Sequence, residues 1–278
     1  MSDFQRVLDI AEQHLLTLKA AGVRFLSVEP STLSQLREAP PAPALETNGI
    51  HGTDAPVAEV QVNGHVEQAL QKDRETAMAE LRQRASVCLK CPHLVKNRKN
   101  VVFGVGDIHA PLMFVGEAPG ADEDAQGEPF VGAAGQLLTR IIKTMGLSRE
   151  TVYIANVLKC RPDTPGQSYG NRKPTTDEMK TCLPYLLEQI DLIRPKVLVA
   201  LGATALEGLI GATGGITRHR GKFQTFRGIP LMPTFHPSYL LHNPALTEKR
   251  KVWEDMLQVM EKLQMPISEK QRGFFLKA

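Results

Sequence analysis

Residues 116–138 are the most informative stretch of the chain and read Gly-Glu-Ala-Pro-Gly-Ala-Asp-Glu-Asp-Ala-Gln-Gly-Glu-Pro-Phe-Val-Gly-Ala-Ala-Gly-Gln-Leu-Leu. An apolar run at 112–115 precedes them and is typical of a buried strand, and apolar residues at helical spacing extend from about 133 to 145. A glycine-rich loop between a strand and a helix lets a ligand approach the main chain closely. The stretch therefore predicts a strand–loop–helix unit with a binding site at the carboxyl end of the strand.

The side chains of this loop indicate what kind of ligand it binds. The loop carries carboxylates, including Glu117, Glu123 and Asp124, and one aromatic ring, Phe130. A phosphate site would favour Lys or Arg. Acidic groups beside an aromatic ring favour a flat, uncharged ligand that forms hydrogen bonds, such as a nucleobase.

The rest of the core alternates short apolar strands with helices. We predict strands at 112–116, 152–156, 197–201 and 230–235, and helices at 133–145, 176–193, 203–210 and 247–264. This alternation predicts an α/β fold, a three-layer sandwich in which a central four-stranded parallel sheet has helices on both faces. Ligands of such sheets bind at the carboxyl ends of the strands.

The segments around this core have a different character. An apolar stripe predicts a helix within residues 1–27, and residues 28–66 have the proline-rich, aperiodic composition of a disordered linker. We expect the folded domain to span 67–265, beginning with a polar helix. Residues 266–278 are expected to be a tail.

Composition allows a sizeable core but does not by itself indicate a nucleic-acid binder. The chain has 278 residues, 42% of them hydrophobic, and a formal net charge of +3. Two short basic clusters, at 96–99 and 218–222, are the candidate contacts for an anionic partner. No apolar run approaches the roughly 18 residues of a membrane helix, and no signal-peptide core is present. We therefore expect a cytosolic protein without a membrane partner.

The four cysteines of the chain indicate a metal site. Cys88 and Cys91 form a Cys-x2-Cys pair, and Cys160 and Cys182 follow much later in the sequence. Cytosolic thiols stay reduced, so two disulfides are not expected. Four thiolates suit either a tetrahedral zinc ion or a [4Fe–4S] cluster, and the spacing alone does not choose between them.

Four motifs, in order along the chain, resemble those of the family 4 uracil-DNA glycosylases, the iron–sulfur branch of that superfamily. They are Cys88-Leu-Lys-Cys, the loop that begins at Gly116, Asn156-Val-Leu-Lys-Cys-Arg-Pro with Asn171-Arg-Lys-Pro downstream, and His236-Pro-Ser-Tyr-Leu-Leu. The resemblance covers roughly residues 77–263. It implies a DNA repair enzyme that removes uracil and leaves an abasic site, with a [4Fe–4S] cluster on the four cysteines.

The resemblance also implies a set of catalytic residues. His236 would donate a hydrogen bond to the leaving uracil as negative charge builds on it. Glu117, Glu123 and Asn171 would position water and support the charge on the sugar. Because the tyrosine that excludes thymine in the best-known branch is replaced here by Gly120, Glu123 is also the expected barrier to a 5-methyl group.

A second set of residues would bind the substrate. Phe130 would stack on the flipped base, Asn156 would pair with the uracil edge, and Leu240 would fill the gap that the base leaves in the DNA. Gly116 and Ala118 complete this set, although Ala118 stands where the best-known branch has an aspartate.

The sequence bears on two other functions and on the partners of the protein. The absence of the aspartate leaves open a protein that binds uracil-DNA without turnover. A nucleotide-dependent iron–sulfur enzyme is disfavoured, because the acidic loop has no nearby lysine. The loop between Cys160 and Asn171 is longer than is usual in the family and contains no histidine, which does not support covalent trapping of DNA. We expect a monomer that acts on uracil-containing DNA, with the N-terminal helix as a candidate docking element for a repair or replication protein.

Overall fold

The computed structural model describes residues 64–164 and 167–276, all within one compact unit, Gln61–Ala278. For 64–72, 163–164 and 167–170 only the backbone is described. The predicted N-terminal helix and nearly all of the predicted linker lie outside the described residues. No helix in the described ranges is long and apolar enough to cross a membrane.

The middle layer is a six-stranded sheet made of β1 (Val105–Gly106), β2 (Leu112–Gly116), β3 (Tyr153–Asn156), β6 (Val197–Leu201), β7 (Gln224–Phe226) and β8 (Ile229–Thr234). The strand order is β1-β3-β2-β6-β8-β7. The pairs β3–β2, β2–β6 and β6–β8 are parallel, which confirms the predicted central four-stranded parallel sheet. The edge strands β1 and β7 are antiparallel additions that the prediction missed. They are too short to show a period-2 pattern.

Helices cover both faces of this sheet. They are α1 (Gly64–Ser86), α2 (Pro92–Val95), α3 (Ala121–Gln126), α4 (Ala133–Thr144), α5 (Thr176–Ile193), α6 (Ala203–Ile210), α7 (Ile216–His219), α8 (Pro237–His242), α9 (Leu246–Lys262) and α10 (Glu269–Gly273). A separate hairpin, β4 (Asp163–Thr164) and β5 (Gln167–Asn171), lies in the long loop after β3.

The alternation of side chains along β2 explains the two layers of helices. All five residues of this strand are buried, as expected for a central parallel strand. Met113 and Val115 join one apolar cluster, with residues of α1, α5 and α6. Leu112 and Phe114 point to the opposite face and join a second cluster, with residues of α4 and α9.

The C-terminal residues that were expected to be a tail are partly attached to the folded domain. Helix α10 begins with a capping box formed by Ser268 and Gln271. Trp253 Nε1 donates to the carbonyl oxygen of Gln271 at 2.6 Å, and Gln271 Nε2 donates to the carbonyl oxygen of Thr144 at 2.8 Å. Helix α10 is therefore anchored to α9 and to the end of α4.

Candidate active site

The carboxyl ends of the four parallel strands open onto one pocket of about 430 Å³. Its walls come from the loops that follow β2, β3, β6 and β8. The pocket brings together most of the residues singled out from the sequence: Glu117, Ala118, Glu123, Phe130, Asn156, Asn171 and His236. Residues distant in the sequence therefore share one site because their strands end at the same edge of the sheet.

Gly116, the last residue of β2, leaves room for two of these side chains to meet. A Cβ atom at Gly116 would lie 2.3 Å from Asn156 Oδ1 and 2.5 Å from Cζ of Phe130. Both distances are far below van der Waals contact, so any side chain here would displace the ring or the amide. Gly116 does not line the pocket itself, but its lack of a side chain shapes the pocket floor.

Phe130 has a strained backbone. Its φ is +56°, in the left-handed region, which costs a non-glycine residue on the order of 1–3 kcal/mol. The residue is only 6% exposed, and its ring lies 5.6 Å from the ring of His236, centroid to centroid. Strain that persists at a pocket wall indicates that the surrounding structure holds this residue in place.

Asn156 ends β3 with its amide buried beneath the pocket, where the residue is 2% exposed. Its Oδ1 is the one buried side-chain nitrogen or oxygen without a hydrogen-bond partner among the residues whose side chains are described. Leaving a buried acceptor unpaired costs about 1–3 kcal/mol. An acceptor of this kind at a pocket floor is available to a donor on a ligand.

His236 precedes α8 and has a defined tautomer. The backbone N–H of Ser238 donates to His236 Nδ1 at 3.2 Å, and Ser238 Oγ lies 2.7 Å from the same atom. Because a backbone N–H can only donate, Nδ1 is an acceptor and the ring proton is on Nε2. Burial lowers the pKa of His236 to about 4, and Glu123 opposes the shift only in part. The ring is therefore neutral at pH 7, with one N–H donor.

Glu123 organises the loop rather than facing the pocket as a free carboxylate. Its Oε1 accepts from the backbone N–H groups of Val131 and Gly132, both at 3.0 Å, and its Oε2 accepts from that of Gly120 at 3.1 Å. The carboxylate thus joins both ends of the glycine-rich loop. Expected roles for Glu123 as a water-positioning group and as a steric barrier do not explain these three bonds.

Glu117 and Asn171 lie at the pocket under different constraints. Across the described residues, the Glu117 carboxylate has no hydrogen bond or ion pair, while its backbone carbonyl accepts from the N–H of Leu158 at 3.0 Å. Asn171 Oδ1 accepts from Arg161 Nε at 3.3 Å, and a Cβ at Gly120 would lie 3.3 Å from Asn171 Nδ2. Glu117 is therefore the carboxylate that is available to a water molecule, and Asn171 stands beside the glycine-rich loop.

Leu240 does not occupy the position expected of a DNA wedge. It is 5% exposed and packs against Phe235 and Val252 in a small apolar cluster, away from the pocket lining. A side chain that fills this cluster is not available to enter DNA without repacking. Its neighbour Leu241 is 42% exposed and projects from the same short helix.

The two basic clusters divide into inward and outward side chains. Arg98 Nη1 donates to Cys160 Sγ at 3.2 Å, and Arg220 forms an ion pair with the buried Asp255, Nη2 to Oδ1 at 2.6 Å. These two arginines have structural partners. The lysine and arginine side chains left exposed in the clusters are Lys96, Lys99, Arg218 and Lys222.

The four cysteines converge at the face of the sheet that packs against α1 and α5. Cys160 and Cys182 belong to the apolar cluster there, and Cys88 and Cys91 pack against it. Burial raises the pKa of the Cys182 thiol to about 12 and also raises that of Cys91, and neighbouring cysteines add to both shifts. No disulfide joins the four.

Hydrogen-bond donors reach two of the four cysteine sulfurs. The backbone N–H of Lys159 donates to Cys182 Sγ at 3.2 Å, as Arg98 does to Cys160, and such donors are typical around cluster thiolates. The raised thiol pKa values mean that the fold alone disfavours thiolates, which bound iron would stabilise. Within the described ranges, no three His, Cys, Asp or Glu side chains are grouped so as to hold a single metal ion.

Sequence patterns missed two residues that act on the site from outside it. Arg149 donates to the backbone carbonyls of Pro129 and Phe130 at 2.7 and 3.0 Å. Glu178, 3% exposed, accepts from Arg172 and from His93, so it joins the pocket wall to the helix after Cys91. Arg149 is a single arginine in a loop with no sequence signal. Glu178 was detectable as the third residue of a capping box that begins at Thr175.

Comparison with known proteins places this site in a family. The profile of the uracil DNA glycosylase superfamily matches residues 103–257. A type-4 uracil-DNA glycosylase of Thermotoga maritima is 47% identical over 186 residues, which cover 66% of this chain and 93% of that protein. One from Saccharolobus solfataricus is 44% identical over 185 residues, covering 63% and 82%. A type-5 uracil-DNA glycosylase of Pyrobaculum aerophilum is 30% identical over 186 residues, covering 55% and 79%. The chain therefore belongs to the uracil DNA glycosylase superfamily and, within it, to the type-4 uracil-DNA glycosylases.

Proposed function

We propose that this protein hydrolyses the N-glycosidic bond of deoxyuridine in DNA, releasing uracil and leaving an abasic site. The unpaired Oδ1 of Asn156 carries this proposal. Uracil offers an N3–H donor beside an O4 acceptor, which matches the Oδ1 acceptor and Nδ2 donor of one amide. Cytosine offers an N3 acceptor beside an amino donor, so it would face the amide with the wrong group at both positions.

Recognition begins with a base that has left the helix. Phe130, His236 and Asn156 line a pocket at the ends of the strands, so a base must be extruded from the DNA stack to reach Asn156. The Phe130 ring then provides a stacking surface for the flipped base. The flipped base thereby loses its stacking in DNA and gains stacking on the protein.

His236 supports the departure of the base. Cleavage passes through an oxocarbenium-like sugar, and the departing uracil takes the negative charge. The neutral imidazole offers its Nε2–H to the uracil oxygen where this charge develops, and the Ser238 N–H holds the ring in that tautomer. A neutral donor stabilises the uracil anion without transferring a proton to it.

We assign two roles to Glu117: it positions the attacking water and it stabilises the positive charge on the sugar. Its carboxylate lines the pocket and has no partner in the described part of the chain. A carboxylate near the sugar stabilises positive charge and accepts a hydrogen bond from the attacking water. Asn171, whose amide lies beside Gly120, would hold that water from the other side.

We propose that Cys88, Cys91, Cys160 and Cys182 hold a [4Fe–4S] cluster. Such a cluster would supply cross-links rather than chemistry on the substrate, because the cysteines come from the α1–α2 loop, the loop after β3 and helix α5. Iron and acid-labile sulfide analysis of the purified protein, with Cys182→Ser as the comparison, tests this assignment. Four of each per chain in the wild type supports it. Stoichiometric zinc would contradict it.

Exposed basic side chains supply the DNA contacts in this proposal. Lys96, Lys99, Arg218 and Lys222 are free to approach phosphates, and contacts of this kind make binding depend on salt. We propose that Leu241 fills the gap that the flipped base leaves in the DNA, because Leu241 is exposed and Leu240 is buried.

The experiment that tests the proposed function is a base-release assay. Oligonucleotides of one sequence that contain uracil, thymine, hypoxanthine or cytosine at one position are incubated with the protein, and free base is measured. Release of uracil and not of cytosine is expected. Tight binding to the uracil oligonucleotide without any release would contradict the proposal and support a binding protein without turnover.

A further inference from the structure

The peptide bond between Phe130 and Val131 is held from both ends. On the carbonyl side, Arg149 Nη1 donates to the oxygen of Phe130 at 3.0 Å, and Nη2 donates to that of Pro129 at 2.7 Å. On the amide side, Val131 N–H donates to Glu123 Oε1 at 3.0 Å. One guanidinium and one carboxylate thus fix the orientation of a single peptide plane.

This peptide needs such support because its conformation is strained. Phe130 has a φ of +56°, which a residue with a side chain rarely adopts. The first turn of α4 packs directly on it, since a Cβ at Gly135 would lie 1.9 Å from the carbonyl carbon and oxygen of Phe130. A relaxed, negative φ at Phe130 would rotate the ring away from its position facing His236.

Arg149 suits this task better than another cation would. Its planar fork can donate to two neighbouring carbonyl oxygens at once, which the point charge of a lysine cannot do with the same geometry. The guanidinium also lies 3.5 Å from Thr139 Oγ1 on α4, so it joins the loop to the helix. Arg149 does not line the pocket.

We propose that Arg149 is a positioning residue for base binding. It holds the Phe130–Val131 peptide and so keeps Phe130 in the left-handed conformation that turns its ring toward the base. The inference rests on the proposed function, in which that ring stacks on the flipped uracil. Arg149 touches neither the base nor the sugar in this account. It acts only through Phe130.

A double-mutant cycle tests whether Arg149 acts through Phe130. The wild type, Arg149→Met, Phe130→Ala and the double variant are compared by kcat and KM for uracil release, with Arg140→Met, an exposed arginine on α4, as the matched control. We expect Arg149→Met to lower kcat/KM by up to about 10²-fold, the cost of a displaced contact group, and to have no further effect when Phe130 is already alanine. Arg149→Lys should retain part of the activity, and Arg140→Met all of it.

A second measurement does not depend on activity. A crystal structure of Arg149→Met, or of Arg149→Lys if the first variant does not fold, should show Phe130 with a negative φ and its ring displaced. If wild-type protein released no uracil, the proposed function would fail. The structure of the variant would still show whether Arg149 holds the Phe130–Val131 peptide in place. An unchanged Phe130 conformation overturns the inference. Equal losses of kcat/KM on Arg149→Met with and without the Phe130 ring would also overturn it. So would a salt dependence of DNA binding that becomes shallower by about one ion in Arg149→Met, because that would identify Arg149 as a phosphate contact.

Discussion

Phe130 and His236 face one another at the pocket, with ring centroids 5.6 Å apart and ring planes tilted by 33°. One ring follows β2 and the other follows β8, which are separated in the sheet by β6. In the proposed function, a base held between the loops of these two strands would meet a stacking surface and a hydrogen-bond donor together. Because the two rings are close together, one bound base would contact both the residue that stacks on it and the residue that supports its departure.

Replacing His236 tests the donor half of this relationship. His236→Ala should lower the single-turnover rate of uracil release by roughly 10²–10³-fold, the usual cost of removing one donor to a developing oxyanion. Affinity for uracil-DNA should change much less, because the bond strengthens mainly in the transition state. His236→Asn, which retains an N–H donor, is the matched control and should recover part of the rate. Loss of binding with intact single-turnover chemistry would show that the assigned role is wrong.

The low pKa of His236 predicts the acid side of the pH profile. Burial lowers this pKa from 6.5 to about 4. In the proposed mechanism the neutral ring is the active form. The rate should therefore not fall as the pH passes through 6.5, and any acid limb due to His236 should appear near pH 4. Single-turnover rates of the wild type and His236→Asn between pH 4 and 8 measure this limb. A limb near pH 6.5 that disappears in His236→Asn would contradict the assignment.

Glu178 should contribute strongly to stability. Burial alone would raise its pKa, but hydrogen bonds from Arg172, the Thr175 N–H and His93 lower it to about 2. Because the folded pKa is below the unfolded value of 4.5, the stabilisation is complete above pH 4.5 and is lost as the pH falls toward 2. Glu178→Gln should lower the free energy of unfolding by about 2–4 kcal/mol at pH 7.

Urea unfolding of both proteins measures this difference, and its change with pH is the control. The gap between wild type and Glu178→Gln should be smaller at pH 4 by about 1 kcal/mol than at pH 7. A gap that widens on acidification would mean that the carboxylate is not held in its charged form.

The bonds of Glu123 predict that it controls loop structure and not thymine exclusion. Glutamine has one acceptor oxygen where the carboxylate has two, and its NH2 group would face at least one backbone N–H. Glu123→Gln and Glu123→Gly should therefore both lose uracil release, and neither should gain thymine release. The assay is base release from matched uracil and thymine oligonucleotides. Thymine release by the glycine variant alone would support the steric-barrier interpretation and contradict this prediction.

Much of the fold could be predicted from the sequence because its strands are short apolar runs bounded by glycine, proline or polar residues. The central strands and the helices α4, α5 and α6 lie within one residue of their predicted bounds. Helix α3 was missed because its sequence, Ala-Asp-Glu-Asp-Ala-Gln, has no apolar stripe. It also lies inside the glycine-rich loop, whose composition indicates irregular structure.

The site was harder to predict, for reasons that Leu240 and Glu123 illustrate. Both lie in motifs that the sequence identified, so their neighbourhood was foreseen. Which way Leu240 faces depends on how α8 packs against Val252, and the partners of Glu123 depend on how the loop folds back to Gly132. Tertiary packing sets both, and no local pattern reports it.

The most direct test of the account is single-turnover base release by wild-type protein and Asn156→Asp, on uracil and cytosine oligonucleotides of the same sequence. The wild type should release uracil and leave cytosine. Asn156→Asp loses the Nδ2 donor to O4 while keeping an acceptor, so uracil release should fall, and a protonated carboxyl could admit cytosine at low pH. Equal uracil release by both proteins, or none by the wild type, would contradict the claim that the unpaired amide oxygen at the pocket floor reads uracil.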